Sequence, residues 1–258
     1  MPSLKNSTVI VICMKNRKEY IQKELVKNGI RDFLLIDAID GKQMGENYLQ
    51  NQLISQVGKC WVQPYGQTII SKKVMAKMGC FLSHLKALKI GSERSDQGVF
   101  ILEDDCVLSK GLADLDIEVP QGSDIIYLGG FYDKKDKTKD LKFKVGLNQI
   151  ISEDIKFWTA HAYYVNCPSL LLAQLRDKRP KAYDALLISL IQKRNRSYFY
   201  SPSLVTQNNQ LVSNIDPQNK YSRFTFFLND NFLCFNNIKK YPLFELLFIH
   251  NKLATMLL

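Results

Sequence analysis

Three consecutive acids, Glu103-Asp104-Asp105, follow directly on the apolar run Val99-Phe100-Ile101-Leu102. Such a run reads as a buried strand, and side chains alternate along a strand. Glu103 and Asp105 then share one face and Asp104 takes the other, unless the chain turns there. Adjacent carboxylates at the rim of an apolar sheet repel each other, and protonation or a bound cation relieves the repulsion. Hard oxygen donors suit Mg²⁺ or Mn²⁺, which keep open positions for diphosphate oxygens. In open α/β sheets ligands gather beyond the carboxyl ends of the strands, where this triplet falls. An acidic turn after a strand has the same composition, so the elements around the triplet must carry the argument further.

Those elements alternate. Thr8 to Met14 is a continuous, largely β-branched run, the pattern of a strand buried on both faces. Asn16-Arg17-Lys18-Glu19 reads as a helix N-cap with an acid three residues on, and Gly29 as the left-handed residue that ends the helix. A second apolar run, Phe33 to Ile36, completes a βαβ opening. Helices are expected from Tyr48 to Val57, closed by Gly58, and from Lys72 to Ile90 with Ser71 as N-cap. The latter carries Val74, Met78, Phe81, Leu82, Leu85 and Leu88 on one face. Asp124 to Leu128 reads as a short buried strand and Phe157 to Asn166 as an aromatic one. Pro168 opens a helix to Arg176. A further helix is expected from Asp184 to Arg194 and a strand from Ser197 to Gln207. The pattern predicts an α/β sheet with right-handed crossovers.

The chain has 258 residues, 46% hydrophobic and 23% charged, which excludes disordered, collagen-like and coiled-coil classes. Its net charge of +10 is uneven: residues 1–130 carry 16 basic and 15 acidic side chains, residues 131–196 carry 14 and 7. The densest basic stretch, Lys134 to Lys139, reads as an exposed loop that meets phosphates or solvent. Nucleic acid is the weakest partner, because no helix-turn-helix, RNA-binding aromatic motif or zinc finger accompanies it. The six cysteines form no CxxC pair, and they read as reduced thiols of a cytoplasmic protein. Tyr241 to Leu258 is apolar but broken by Glu245, His250 and Lys252, as in a packed or interfacial amphipathic helix.

The segment Gly79-Cys80-Phe81-Leu82-Ser83-His84 followed by Leu102-Glu103-Asp104-Asp105 resembles the signature of glycosyltransferase family 25, the lipooligosaccharide and procollagen galactosyltransferase family. Val9 to Arg17 with Asp37-Ala38-Ile39-Asp40-Gly41 resembles the family's opening, and Trp158 to Val165 its W-T-x-A-Y strand. Tyr183-Asp184-Ala185-Leu186 is similar to its V-D-x-x-L element. Ser201 to Gln207 with Ser213-Asn214-Ile215 resembles its closing segments. The match runs over about residues 8–216. Two departures stand out: Cys13-Met14 where Asn-Leu is commoner, and His161 where the family has small or aromatic residues.

The resemblance implies a GT-A-type, Rossmann-like nucleotide-sugar-binding sheet with flanking helices. It implies one glycosyltransferase domain over 1–240, with a donor half (1–130) and an acceptor half (131–240), and a tail over 241–258. The implied activity is metal-dependent, inverting transfer of galactose or glucose from a UDP-sugar to a lipooligosaccharide or lipopolysaccharide glycan, at the inner face of an anionic cytoplasmic membrane. Mn²⁺ or Mg²⁺ would sit on Asp105 and Glu103. Glu103, Asp104, Ser83 and His84 would serve the donor. Asp184 is the implied general base, with Asp216 and Asp154 behind it. Ser83-His84 is not a nucleophile and base, since adjacent helical residues point apart. His84 is expected to bond the donor or the acid loop, a structural role being the other reading, and His161 is expected to be a structural hydrogen-bonder, with an extra ligand or base as the alternative. A metal-dependent phosphoryl-transfer enzyme or nuclease, and a non-catalytic glycan- or membrane-binding module, are the competing readings.

Overall fold

Five β-branched and apolar residues in a row make β1 (Val9–Cys13), and all five are buried. Their alternation feeds two cores. Ile10 and Ile12 face one cluster with residues of the long helix α3 (Lys72–Arg94), while Val9, Val11 and Cys13 face another with Ile21 and Leu25 of α1 (Lys18–Lys27). Helices thus cover the sheet on both faces, as a continuous apolar strand requires. In this computed structural model residues 1–61, 71–95, 98–135, 142–208 and 211 are described. All of them belong to one unit, Met1–Gln218. Lys137 and Lys139 of the basic stretch, Asp216, the 213–215 segment and the 241–258 tail lie outside the described residues.

The central sheet has seven strands. Besides β1 they are β2 (Leu34–Asp37), β3 (Val99–Glu103), β5 (Ile125–Tyr127), β7 (Gly146–Gln149), β9 (Ala162–Val165) and β10 (Ser197–Ser201). Their order is β2-β1-β3-β9-β5-β10-β7. β2, β1, β3, β5 and β10 run the same way, whereas β9 is antiparallel to both of its neighbours and β7 is antiparallel to β10. The sheet is therefore mixed, though mostly parallel. Two ribbons flank it, β4 (Cys106–Leu108) with β11 (Val205–Gln207), and β6 (Phe131–Lys134) with β8 (Ile155–Trp158). Among the described residues no helix is long and apolar enough to cross a membrane.

The structure departs from the sequence pattern in four places. The expected cap at Asn16 is instead inside a 3-10 turn, Lys15–Arg17, and α1 starts after it with no side-chain cap. The Arg17 guanidinium is drawn to Asp104. The aromatic run 157–166 is two strands in different sheets, parted where Thr159 takes φ +78. The segment 197–207 is likewise two strands, β10 and β11. The helix expected from 184 to 194 is one α-turn, α5 (Tyr183–Leu186), then a wider π-turn and a 3-10 turn. Gln192 is buried there, its amide bonded to Tyr127 Oη and to the backbone of Phe157, which fixes where the last turn must lie.

Other expectations hold. Ser71 caps α3 by accepting from Val74 N at 3.3 Å. Gly58 closes α2 (Glu46–Val57) in the left-handed conformation, and Gly29 follows α1 at φ +84. Pro168 opens α4 (Pro168–Arg176).

Candidate active site

β1 has β2 on one side and β3 on the other, so the chain's crossovers diverge between β1 and β3. At such a switch point a crevice opens beyond the carboxyl ends. A cleft of about 170 Å³ lies there, lined by Met14 and Arg17 after β1, by Asp40 and Gly41 after β2, and by the acid triplet at the end of β3.

Alternation continues one residue past β3 and sends the first two acids to opposite faces. Glu103 follows Val99 and Ile101 onto the α3 side, and its Oε1 lies 3.0 Å from His84 Nε2. Asp104 follows Phe100 and Leu102 onto the α1 side. There it is buried, accepting from Met14 N at 2.5 Å and from Arg17 Nη1 at 2.9 Å. The chain then turns, and Asp105 faces Gln207 of β11, whose Nε2 donates to Oδ2 at 3.2 Å. Asp105 Oδ1 is buried with no partner among the described residues.

The three carboxyls consequently ionise differently. Burial pushes Asp105 up to about 7, helped by the charges of Glu103 and Asp104. Burial also raises Asp104, opposed by its bonds to Met14 and Arg17. For Glu103 burial pulls upward too, but the hydrogen bond and charge of His84 outweigh it, and the carboxyl sits below its ordinary value.

His84 is almost fully buried and has both ring nitrogens engaged, Nε2 with Glu103 and Nδ1 with the Tyr163 hydroxyl at 2.9 Å. That hydroxyl in turn meets Tyr183 Oη at 2.9 Å, and the Tyr183 ring stacks on the imidazole with centroids 4.0 Å apart. Of its two expected partners, donor and acid loop, His84 bonds the loop. Ser83 lines the cleft with its hydroxyl already engaged: Oγ donates to Gly79 O at 2.7 Å and accepts from Ile39 N at 2.8 Å. It pins the 38–41 loop to α3 at the cleft wall. Gly79 permits that approach, because a Cβ there would strike Ile39 O and come within 2.6 Å of Gly41 N. At the end of β2 Asp37 is exposed and paired with Lys18 at 2.8 Å, while Asp40 in the loop lines the cleft.

A second cavity, about 320 Å³, shares Cys80, Glu103 and Gln207 with the first. Its far wall holds Asp184, Lys77, Trp158 and His161. Asp184 is the second residue of α5, with Oδ1 accepting from Ala185 N at 2.7 Å. Burial raises its pKa, against the lowering charge of Lys77. His161 is buried, with Nδ1 3.1 Å from Thr159 Oγ1 and Nε2 donating to Val205 O at 3.3 Å. Burial lowers its pKa, and the ring also lines the second cavity. Asp154 is not among the residues lining either cavity; its carbonyl accepts from Lys135 N.

Sequence reasoning placed Arg17, Tyr163, Tyr183 and Gln207 inside family-like segments but gave them no site role, although all four hold the triplet or its histidine. Tyr163 alternates with the core residues of β9, a pattern that gives no sign of a polar task. The described residues contain one group able to gather a metal from mixed ligands, Cys80, His84 and Glu103, with ligand atoms within 4.8 Å of one another. The carboxylates of Asp105 and Glu103 offer harder donors beside it.

Comparison with known proteins adds a second line of observation. The model of glycosyltransferase family 25 (LPS biosynthesis protein) matches residues 6–174. Procollagen galactosyltransferase 1-B of Xenopus laevis is 28% identical over 152 residues, covering 56% of this chain. Those residues are 24% of the frog protein, so the chain spans about a quarter of that relative's length.

Proposed function

Because the chain belongs to glycosyltransferase family 25, we propose that it moves a hexose, galactose first among those to be tried, from a UDP-sugar to a lipooligosaccharide or lipopolysaccharide glycan with inversion at the anomeric carbon. The observation that carries this reading is the pair of cavities meeting at Glu103, one with the acid triplet and the other with Asp184. Inversion needs a leaving group on one side of the sugar and a base for the attacking hydroxyl on the other. The strand order, with a switch point between β1 and β3 and one antiparallel strand inside the sheet, supports a GT-A-like, Rossmann-type donor fold.

The residues fit a hard divalent cation, Mn²⁺ or Mg²⁺. Asp105 presents a buried carboxylate oxygen without a partner among the described residues, and the bond from His84 draws the Glu103 carboxyl below its ordinary value. These two would hold the ion, which supplies neutralisation of the departing diphosphate. Asp104 is committed to Arg17 and Met14 N, so its part is to fix the loop between β1 and the triplet. His84 fixes the Glu103 carboxylate. Asp184, its pKa raised by burial toward the working pH, takes the acceptor hydroxyl proton. The basic excess of residues 131–196 faces an anionic acceptor or the cytoplasmic membrane surface.

UDP release from a panel of nucleotide sugars, with Mn²⁺ present, tests the proposal. Transfer from a UDP-hexose that is lost in Asp105→Ala, with the fold intact by circular dichroism, is the expected result. Undiminished turnover in that variant sinks the metal assignment.

A further inference from the structure

We propose that Cys80, His84 and Glu103 form a binding site for a soft divalent cation of the Zn²⁺ class, distinct from the hard-ion pair Asp105 and Glu103. Cys80 and His84 stand at i and i+4 on α3, so they project from one helix face toward the end of β3, where Glu103 completes the set. Their ligand atoms lie within 4.8 Å of one another. In a tetrahedral zinc site with Zn–N and Zn–O near 2.1 Å and Zn–S near 2.3 Å, ligand atoms stand roughly 3.4–3.6 Å apart. The His84 Nε2 to Glu103 Oε1 separation of 3.0 Å opens to that span by a few tenths of an ångström.

The surroundings supply what a zinc-bound histidine needs. A metal-ligating imidazole holds its other ring nitrogen by a hydrogen bond that sets tautomer and orientation. Here the Tyr163 hydroxyl is 2.9 Å from Nδ1 and Tyr183 is stacked on the ring face. Coordination takes the lone pair of Nε2. The neutral ring then keeps its proton on Nδ1, donating to Tyr163, and the thiol proton of Cys80 leaves to solvent. Thiolate sulfur and imidazole nitrogen favour Zn²⁺ over Mg²⁺ or Mn²⁺. Cys80 and Glu103 line both cavities, so an ion has entry from either side and a position for water or a fourth ligand. Glu103 belongs to both ligand sets, which makes occupation of the soft site a withdrawal of one carboxylate from the hard one.

The experiment uses the full chain carrying Cys60→Ser and Cys167→Ser, since these two thiols are exposed and would bind metal adventitiously. Titration with Co²⁺ alone should give a thiolate-to-cobalt charge-transfer band saturating at one equivalent, abolished by one equivalent of Zn²⁺. X-ray absorption of the Zn²⁺-loaded protein should show one sulfur near 2.3 Å with nitrogen or oxygen ligands near 2.0–2.1 Å. Cys80→Ser, checked for folding by circular dichroism, should lose the band and weaken Zn²⁺ binding at least 100-fold. Absence of sulfur from the zinc shell, or a band that survives Cys80→Ser, overturns the proposal. Both readouts use metal alone, so they stand whether or not transfer from a UDP-sugar is found.

Discussion

Replacing Asp105 with Asn removes the charge that the metal-free fold accommodates least. Its Oδ1 is buried without a partner among the described residues, and burial with the neighbouring acids lifts the carboxyl from 3.8 to about 7. The folded protein therefore keeps a proton that the unfolded chain gives up above about pH 4. Stability is undiminished below the unfolded value, falls as pH rises through the interval, and has lost the full amount once pH exceeds 7. A shift of that size corresponds to about 4 kcal/mol. Water entering the cleft that Asp105 lines screens part of it, which leaves about 2–4 kcal/mol. Asn keeps the shape and the acceptor for Gln207. In chelator at pH 8, urea unfolding followed by circular dichroism should find Asp105→Asn more stable by about 2–4 kcal/mol, an advantage that shrinks to less than half at pH 5. Adding Mn²⁺ should stabilise the parent protein and not the variant, because an ion that binds the folded state raises its stability. A variant no more stable than the parent at pH 8, or equally favoured at both pH values, would refute the reasoning.

Four more outcomes follow from the same geometry. Arg17→Met leaves the Asp104 carboxylate buried opposite a single backbone donor, and should destabilise by about 3–5 kcal/mol in urea titrations. Gly79→Ala drives a methyl into the backbone at Ile39 and Gly41, and should cost about 1–3 kcal/mol with weakened donor binding by calorimetry. Gly29→Ala meets nothing within 4 Å and should show only the cost of its positive φ, about 1 kcal/mol, with donor binding unchanged. Asp184→Asn should lower kcat about 10²–10⁴-fold with little change in donor KM, as removal of a general base does.

The sequence carried much of this site because one physical rule, period-two alternation, survives past the end of β3. It puts Glu103 on the α3 face with Val99 and Ile101, and Asp104 on the α1 face with Phe100 and Leu102, which is where they are found. It fails at Asp105, where the chain turns and β4 pairs with β11, a contact about 100 residues away that local pattern does not encode. Strand direction is equally silent: the apolar run of β9 reads the same whichever way it lies, so its antiparallel insertion between β3 and β5 was not legible. The roles of Tyr163 and Tyr183 were hidden for a related reason. Each looks like a core aromatic, and its hydroxyl acquires a task only when the fold brings it to His84.

The same long-range contacts explain why three adjacent acids do three different things. Arg17 neutralises Asp104, so the middle acid becomes a tie between the strand ends. His84, braced by two tyrosines, holds Glu103 ionised. Asp105 has neither, and a buried carboxylate left in that state is strained until a proton or a cation arrives. A site that must take up and release an ion needs such a group, because a carboxylate already paired within the protein gains little from a cation. The asymmetry inside the triplet, more than its bare composition, is what the proposed ion site rests on.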